Sequence, residues 1–518
     1  GAFLGKFGVT SNLITKIYST FSEVENLIEK IKQNPYMLIN IKGIGFKRAD
    51  EIAKALGIDV KSPFRIKACL NYTLREYCDN NGNSSIDKFH LYKLLDDSLR
   101  FSKEELLYEN ILVEMLAKEE IYSTTENRIA LSMLYYCEKK ILDFFNIRKD
   151  SKNKKIIDSF DEYLEKKQKT LGFTLSSEQQ KAVELINSGE KTLFLIGYAG
   201  TGKSTSSRAI LELLEEIVSY DDIIAIALSG IASQRISDTT GYNSSTIQSL
   251  LVKHKEKDFF PYKVILLDEA SMVNSVTFSQ IISKISDDTI FIIVGDDGQL
   301  PAIGAGNILA DSIKYELAPI CKLTKIYRQN ENQAIAVIAN DIRKGELPNY
   351  KEEYEDFKFV DVSIGNYYSM KNSLSQNEFS DMRGENSDYI LNNILNIASN
   401  YIQNYYDFIK EKNIGKALTL FQVITPMKGG VLGVENLNIE LQRLFNHTKN
   451  RSLKIKDIEY KLTDKVIHIK NENMKAQTMS MYKSNSTEFM ERRVYNGQLG
   501  LVIKLDFDEK KCVVLYPN

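Results

Sequence analysis

The sequence predicts an α/β protein with a helical N-terminal region and a small β-rich piece near its C-terminus. Three observations predict it. Short β-rich apolar runs at 193–196, 223–228, 264–267 and 291–294 alternate with helical stretches, the pattern of a parallel sheet. Before them, apolar residues recur at helical spacing and glycines interrupt them. After about residue 452, strand-like pieces alternate, among them 465–469, 500–504 and 512–515, which suggests a small β-barrel.

Taken in order, the first helices surround two glycine hairpins, Gly8-Val9-Thr10 and Ile41-Lys42-Gly43-Ile44-Gly45-Phe46. Leu13, Ile14 and Ile17, then Ile52, Ala53 and Leu56, sit at helical spacing around them. Residues 62–147 also read as helical, with Ile66, Leu70, Leu74, Leu106, Ile111, Leu112 and Met115 on the apolar stripe. From Arg148 to Lys169, 13 of 22 residues are charged, the composition of an exposed helix or linker. The α/β pattern starts after Leu175, and a second such unit is expected from near Leu323. An Asn/Ser-rich tract at 366–387 reads as a loop within it.

Composition excludes several classes. With 518 residues the chain is too long for a single core, since domains run to roughly 100–200 residues. Its 43% hydrophobic and 26% charged residues suit an ordinary globular protein rather than a disordered or collagenous one. No apolar run approaches the roughly 20 residues of a membrane helix, so no membrane partner is expected. None of the five cysteines forms a C-x-x-C pair and the four histidines stand apart from them, which argues against zinc and for a reducing cytoplasm. Basic and acidic side chains nearly cancel, 67 against 69, so any nucleic-acid surface must be local.

Chemistry is concentrated in a few segments. Gly197-Tyr198-Ala199-Gly200-Thr201-Gly202-Lys203-Ser204-Thr205 follows an apolar strand and precedes a helical run, the context a phosphate-binding loop needs. Glycines let backbone amides close on phosphate oxygens, and the helix N-terminus adds its positive dipole end. Lys203 is expected to reach the β and γ phosphates and Ser204 to hold Mg²⁺. Strand 264–267 delivers Asp268 and Glu269 at its carboxyl end. There Asp268 can complete the Mg²⁺ shell and Glu269 can polarise an attacking water. Alone, that pair could be a solvated acidic turn; downstream of a phosphate loop it reads as catalytic. The run 291–294 ends in Gly295-Asp296-Asp297-Gly298-Gln299, so Gln299 can sense the γ phosphate, and Arg328 in Tyr327-Arg328-Gln329 can neutralise phosphate charge.

These elements in this order resemble the superfamily 1 helicases, and within them the RecD-like group that moves 5′ to 3′. The segment Leu175-Ser176-Ser177-Glu178-Gln179-Gln180 is similar to the family's adenine-reading stretch, which implies Gln179 or Gln180 as the adenine contact. Leu228 to Arg235 and Ser245-Thr246-Ile247-Gln248 resemble its strand-contacting motifs, implying Arg235, Thr246 and Gln248 on DNA; the family usually has His where Gln248 stands. Gln422 to Lys428 resembles the second motor domain, implying Lys428 on DNA. Asp464-Lys465-Val466 and Val494-Tyr495-Asn496-Gly497 resemble an SH3-like barrel inserted in it, with Asn471 as a further DNA contact. Asn34-Pro35-Tyr36 and the segment 41–53 resemble the helix-hairpin-helix region of the long RecD-type helicases. Gly43 and Gly45 would there free backbone amides for DNA phosphates without sequence readout.

The resemblance implies two RecA-like parallel-sheet motor domains and a division of the chain. Residues 1–62 would be the helix-hairpin-helix region, 63–168 a helical domain and linker, and 169–316 the first motor domain with a short hairpin insert near 250–262. Residues 317–445 would be an incomplete second motor domain and 446–518 the barrel. It implies ATP and Mg²⁺ as cofactors, and single-stranded and forked duplex DNA as partners, with a single-strand-binding protein alongside. A monomer is expected, as no heptad or self-pairing stripe is evident. The family's last two motifs, one of which supplies an arginine finger, are not found before the chain stops at Asn518. A fragment, a split protein or an incomplete record is the expectation, and a nucleotide-switched DNA-binding adaptor without turnover is the alternative function.

Overall fold

The computed structural model describes residues 2–6, 9–41, 43–101, 104–124, 127–172, 174–198, 200–325, 334–350, 354, 356–360, 376–446, 451–484 and 486–517. The chain divides into two compact units, 1–228 with 232–328, and 329–518 with 229–231.

In the first unit, Asn34 accepts a hydrogen bond from the Tyr36 amide and Pro35 opens a 3₁₀ turn that runs to Asn40. The hairpin tip then leads into the helix Phe46–Ala55. Gly43 sits at φ +108°, a conformation that a side chain would strain, and a Cβ there would stand 3.2 Å from Leu13 Cδ2. Ile41, Ile44 and Phe46 are buried under the tip. Asp50, also buried, takes both oxygens' worth of Arg65 (Nε–Oδ1 2.7 Å, Nη2–Oδ2 3.1 Å) and the Tyr36 hydroxyl at 2.7 Å. Burial opposes ionisation of Asp50, yet the bonds from Arg65, Lys54 and Tyr36 hold its carboxyl down at about 2. The hairpin is thereby tied to the helix Pro63–Asn81, on which Arg65 lies.

Residues 62–147 are not purely helical. Strands β1 (Ser85–Asp87), β2 (Ile121–Ser123) and β3 (Arg128–Leu131) form an antiparallel sheet in the order β1-β3-β2. Three or four residues are too few to display a period of two, so only the burial of Ile86, Ile121 and Ile129 marks them.

The main sheet has six parallel strands in the order β6-β5-β7-β8-β4-β9. These are β4 (Thr192–Gly197), β5 (Ile223–Ala227), β6 (Ser244–Thr246), β7 (Val264–Leu267), β8 (Ile290–Gly295) and β9 (Ile320–Leu323). Alternation splits every long strand between two cores. Leu193, Leu195, Ala225, Leu266 and Ile292 face one layer, while Phe194, Ile196, Ile226, Leu267 and Ile293 face the other. The helix after β4 (Lys203–Leu214) packs in the first layer and the helix after β8 (Ile308–Lys314) in the second. The crossover direction therefore changes between the neighbours β4 and β8, and α/β sheets bind ligands at the carboxyl ends of the strands at such a point.

Arg148 corrects the exposed-linker reading of 148–169. It is buried at the end of the helix Ser132–Lys149, and Phe145 on the same helix lies 5.5 Å from the Phe194 ring. Its guanidinium donates to Thr192 Oγ1 at 2.9 Å, to the Lys191 carbonyl at 3.0 Å, to the Ser286 carbonyl at 3.2 Å and to the Thr289 carbonyl. A forked donor is the side chain that can serve so many carbonyls, which a count of charges along the sequence cannot reveal. Arg148→Ala is expected to lower stability by about 3 kcal/mol, because carbonyls at the amino ends of β4 and β8 lose their donors. Arg148→Lys should restore less than half of it. Thermal unfolding of the three proteins measures both.

Two further expectations change. Strand β9 pairs in parallel with β4, Leu195 opposite Cys321, so the first sheet extends past the expected boundary at 316. A four-residue edge strand carries too little pattern to be assigned to one unit or the other. The stretch 250–262 is not a hairpin: the helix Ile247–Lys253 runs through its start and turns follow, with Lys284 donating to the Lys255 and Lys257 carbonyls.

In the second unit the described residues pair only as antiparallel strands. The second parallel sheet is not among them, and 421–425 forms no strand. The expected loop at 366–387 is in part helix, since Gln376–Ser399 is helical; 361–375 lie outside the described residues. Polar composition suggested a loop, but the run continues into Ile390, Leu391, Ile394 and Ile397 at helical spacing. Where the barrel was expected, the described residues form three small antiparallel sheets: Leu453–Ile455 with Ile458–Tyr460, Lys465–Ile467 with Leu499–Asp506 and Lys511–Leu515, and Glu472–Ala476 with Met490–Val494. Asp464 accepts from Gln442 at 2.6 Å and Asn446 at 2.9 Å, tying the helix Val434–Phe445 to this β region.

Candidate nucleotide-binding site

Every motif that the sequence singles out between 197 and 299 lies at the carboxyl ends of the parallel strands. The phosphate loop follows β4, Asp268 and Glu269 follow β7, and Gln299 follows β8. Arg235 lies on the helix after β5, and Thr246 and Gln248 stand at the end of β6 and the start of the next helix.

The loop is shaped by its glycines. Gly197 must lack a side chain, because a Cβ would sit 2.5 Å from Thr201 Oγ1 and 3.0 Å from Leu323 Cβ. Gly200 and Gly202 take φ +85° and +86°, which turns successive amides toward one side before the helix begins at Lys203. Thr201 donates to the Tyr198 carbonyl at 2.8 Å and braces the turn. Lys203 Nζ folds over the loop and donates to the carbonyls of Gly197 at 2.6 Å and Tyr198 at 3.1 Å. Ser204 and Thr205 are half-buried in the first helical turn; Ala199 lies outside the described residues.

The Asp268 amide bonds to the Ile226 carbonyl at 2.9 Å, so its position is fixed by the sheet. Burial, and then the neighbouring Glu269 charge, push its carboxyl up to about 6, while Lys203 and Arg235 pull it back. The opposing pull brings the phosphate loop, the acidic pair and Arg235 into one electrostatic neighbourhood. Glu269 has φ +52°, a left-handed backbone that a non-glycine residue adopts at a cost of about 1 kcal/mol. Its Oε2 is buried with no hydrogen-bond partner. Gln299 lies on a turn held by the Gly298 amide to Asp296 Oδ1 at 3.0 Å, and its Oε1 accepts from Ser271 Oγ at 3.3 Å.

The adenine candidates have structural duties. Gln179 is buried and closes a capping box with Ser176, its Oε1 accepting from the Ser176 amide at 2.9 Å. Gln180 donates to the Leu175 carbonyl at 2.7 Å. The Gln179 amide group and the Gln180 oxygen are what these bonds leave for a base.

Glu178 escaped the sequence reading. Its carboxylate accepts from the Thr324 amide at 2.8 Å, the Thr324 hydroxyl and the Lys325 amide at 3.4 Å, clipping the helix Ser177–Asn187 to the end of β9. Burial works against ionisation, but those bonds keep the carboxyl below its ordinary value. The signal for it in the sequence is an acidic residue in a first helical turn. Arg328, on the segment that follows, lies outside the described residues.

Among the DNA candidates, Arg235 and Gln248 are exposed, while Thr246 is buried and spends its hydroxyl capping the helix, accepting from the Ser249 amide at 3.2 Å. Gly43 and Gly45 are exposed at their hairpin tip. In the second unit Lys428 is exposed, 3.9 Å from Glu435, and Asn471 Oδ1 accepts from the Asn496 amide at 2.8 Å. Among the described residues no cluster of three metal-ligating side chains occurs, and no helix is long and apolar enough to cross a membrane.

The residues present fit a magnesium nucleotide. A glycine cradle with a lysine at its end suits phosphates, a carboxyl raised by burial gains from a nearby cation, and the unpartnered Glu269 oxygen suits a water.

Sheet, loop and acidic pair define a phosphate-loop nucleotide-binding protein. Comparison with known proteins narrows the class. Residues 174–363 match the family model of an AAA domain, and residues 1–85 that of the helix-hairpin-helix domain of ATP-dependent RecD2 DNA helicases. Over nearly its whole length the chain is thus similar to RecD-like helicases. It is 24% identical over 98% of its length to the ATP-dependent RecD2 DNA helicase of Deinococcus radiodurans, of which it covers 64%. It is 31% identical to the ATP-dependent DNA helicase RRM3 of Saccharomyces cerevisiae over 33% of this chain and 28% of that one. With the RecBCD enzyme subunit RecD of Mycolicibacterium smegmatis it shares 26% over 34% of this chain and 37% of that one. The chain thus spans under two thirds of the length of these relatives.

Proposed function

We propose that the chain is the nucleotide-driven part of a DNA helicase that hydrolyses Mg-ATP, translocates 5′ to 3′ on single-stranded DNA and unwinds forked duplexes in repair or recombination. It would act in the cytoplasm as a monomer alongside a single-strand-binding protein. The observation that carries this is the convergence of Lys203, Asp268, Glu269 and Gln299 at the carboxyl ends of one sheet, with Arg235 and Gln248 on the helices that follow β5 and β6. The names of the Deinococcus and Saccharomyces relatives support it.

In this reading the amides of 200–205 and Lys203 bind the phosphates, and Ser204 with Asp268 would hold Mg²⁺, which neutralises charge on the phosphate oxygens when bound. Glu269 Oε2, buried and without a donor, accepts a hydrogen bond from the attacking water and takes its proton. Gln299 holds the γ phosphate through its amide, and Arg328 would add positive charge to neutralise the phosphates. Arg235, Gln248 and Lys428 contact the strand, with Asn471 and Thr246 holding the backbone around those contacts. The glycine hairpin at 43–45 grips duplex phosphates. Gln179 and Gln180 read the base with the groups their structural bonds leave.

DNA binding is testable through salt. Lys428→Ala should weaken binding to single-stranded oligonucleotides and reduce the slope of log affinity against log salt by about 0.7, since one phosphate contact is lost. Gln248→Ala should weaken binding with no change of slope, because a neutral donor releases no counterion. Fluorescence anisotropy over a salt series separates the two, and a flat salt response in the wild type would remove the phosphate groove. For activity, tailed forks of both polarities are the test. Unwinding only of the 5′-tailed fork supports the proposal, whereas ATP-dependent DNA affinity without turnover would favour the adaptor.

A further inference from the structure

We propose that Ser271 is a positioning residue that turns the Gln299 amide toward the terminal phosphate and links it mechanically to Glu269; this rests on the nucleotide-site reading above. The chain leaves β7 through Glu269 in a left-handed conformation, φ +52°, and bends at once into a 3₁₀ turn, Ala270–Met272. That bend carries Ser271 under the loop after β8. The crossing is close: a Cβ on Gly295 would stand 3.5 Å from the Ser271 amide, 3.6 Å from Ala270 Cβ and 2.6 Å from Leu309 Cδ2. Ser271 is 6% exposed, while Gln299 is exposed.

The chemistry follows from the inventory of an amide. A glutamine side chain has one acceptor oxygen and one NH₂ with two donors. The Ser271 hydroxyl donates to Gln299 Oε1 at 3.3 Å, so the oxygen is occupied and the NH₂ is turned away from the turn. A terminal phosphate is an acceptor only, and an outward-facing carbonyl would repel it. Among the described residues Gln299 is otherwise held through its backbone, whose amide bonds to the Asp296 carbonyl at 3.3 Å. Without Ser271 its side chain samples both orientations. One short turn thus carries the base, Glu269, at its start and the hydroxyl that aims the sensor, Ser271, at its centre. The strained residue sets both.

The test reads binding, so it does not depend on turnover. Fluorescent ADP and a fluorescent non-hydrolysable ATP analogue are titrated, with Mg²⁺, into the wild-type chain, Ser271→Ala, Ser271→Thr, Gln299→Ala and the Ser271→Ala/Gln299→Ala double variant. Ser271→Ala should cut the preference for triphosphate over diphosphate roughly five- to tenfold, part of the worth of a hydrogen bond to a charged group. ADP affinity should not move, and threonine, which keeps the hydroxyl, should restore the preference. The double variant should match Gln299→Ala alone, since the serine acts only through the amide. A purely structural serine would weaken both nucleotides alike and lower the unfolding temperature, which overturns the proposal. So would multiplying losses in the double variant, or an unchanged preference in Gln299→Ala. A wild-type chain that binds neither nucleotide would instead remove the nucleotide-site reading itself, and this proposal with it.

Discussion

Lys203→Ala should reduce ATP hydrolysis by about 10²- to 10³-fold, the usual loss when one preorganised donor is withdrawn from developing phosphate charge. The lysine already bends over the loop, donating to the Gly197 and Tyr198 carbonyls, so its ammonium stands where a phosphate would displace it. The same charge pulls the Asp268 carboxyl down, against burial and Glu269. The variant should therefore also carry an Asp268 that ionises at higher pH, and any residual Mg²⁺ dependence should shift upward in pH. Single-strand affinity in the absence of nucleotide should stay within about twofold, because Lys203 faces the phosphate loop. A coupled hydrolysis assay and anisotropy on the same preparations measure both; equal hydrolysis by variant and wild type would remove the phosphate-loop assignment.

Asp268→Asn should make the protein more stable at neutral pH while ending Mg²⁺-dependent hydrolysis. The sign follows from the shift. The folded carboxyl sits at about 6 against an ordinary 3.8, raised first by burial and then by Glu269. Between those values the native state binds more protons than the unfolded chain, so stability falls as pH rises through the window and the full penalty is present above 6. Asparagine keeps the shape and carries no charge. The gain should be about 2 kcal/mol above pH 7, allowing for the water that reaches a half-buried group, and should vanish below pH 4. Urea melts at both pH values test it. Equal stability of the two proteins at pH 7.5 would mean that Asp268 is neither desolvated nor crowded by Glu269.

What could be read in the sequence follows physical scale. The buried strands of the parallel sheet, β4, β5, β7 and β8, are continuous apolar runs, and Lys203, Asp268 and Gln299 follow three of them directly, so these were legible. The edge strands β6 and β9 are only three and four residues long, and β9 lay across the expected domain boundary. The N-terminal sheet was hidden for the same reason. Arg148 looked like one more charge in a charged run, because its five hydrogen-bonding partners come from residues far along the chain. Glu178 and Ser271 stood inside recognised motifs, yet their bonds to Thr324 and Gln299 depend on how strand ends meet. Thr246 was expected on DNA and is found capping a helix, since spacing marks a position without saying which way its hydroxyl turns.

In the proposed function the carboxyl ends of one sheet couple a nucleotide site to a DNA strand. Steady-state ATP hydrolysis by this chain, measured as an unstructured single-stranded oligonucleotide is titrated in, tests it most directly. Mg²⁺-dependent turnover should rise with the oligonucleotide and saturate at the concentration where anisotropy shows the strand to be bound. Hydrolysis indifferent to DNA, with the strand fully bound, would contradict it.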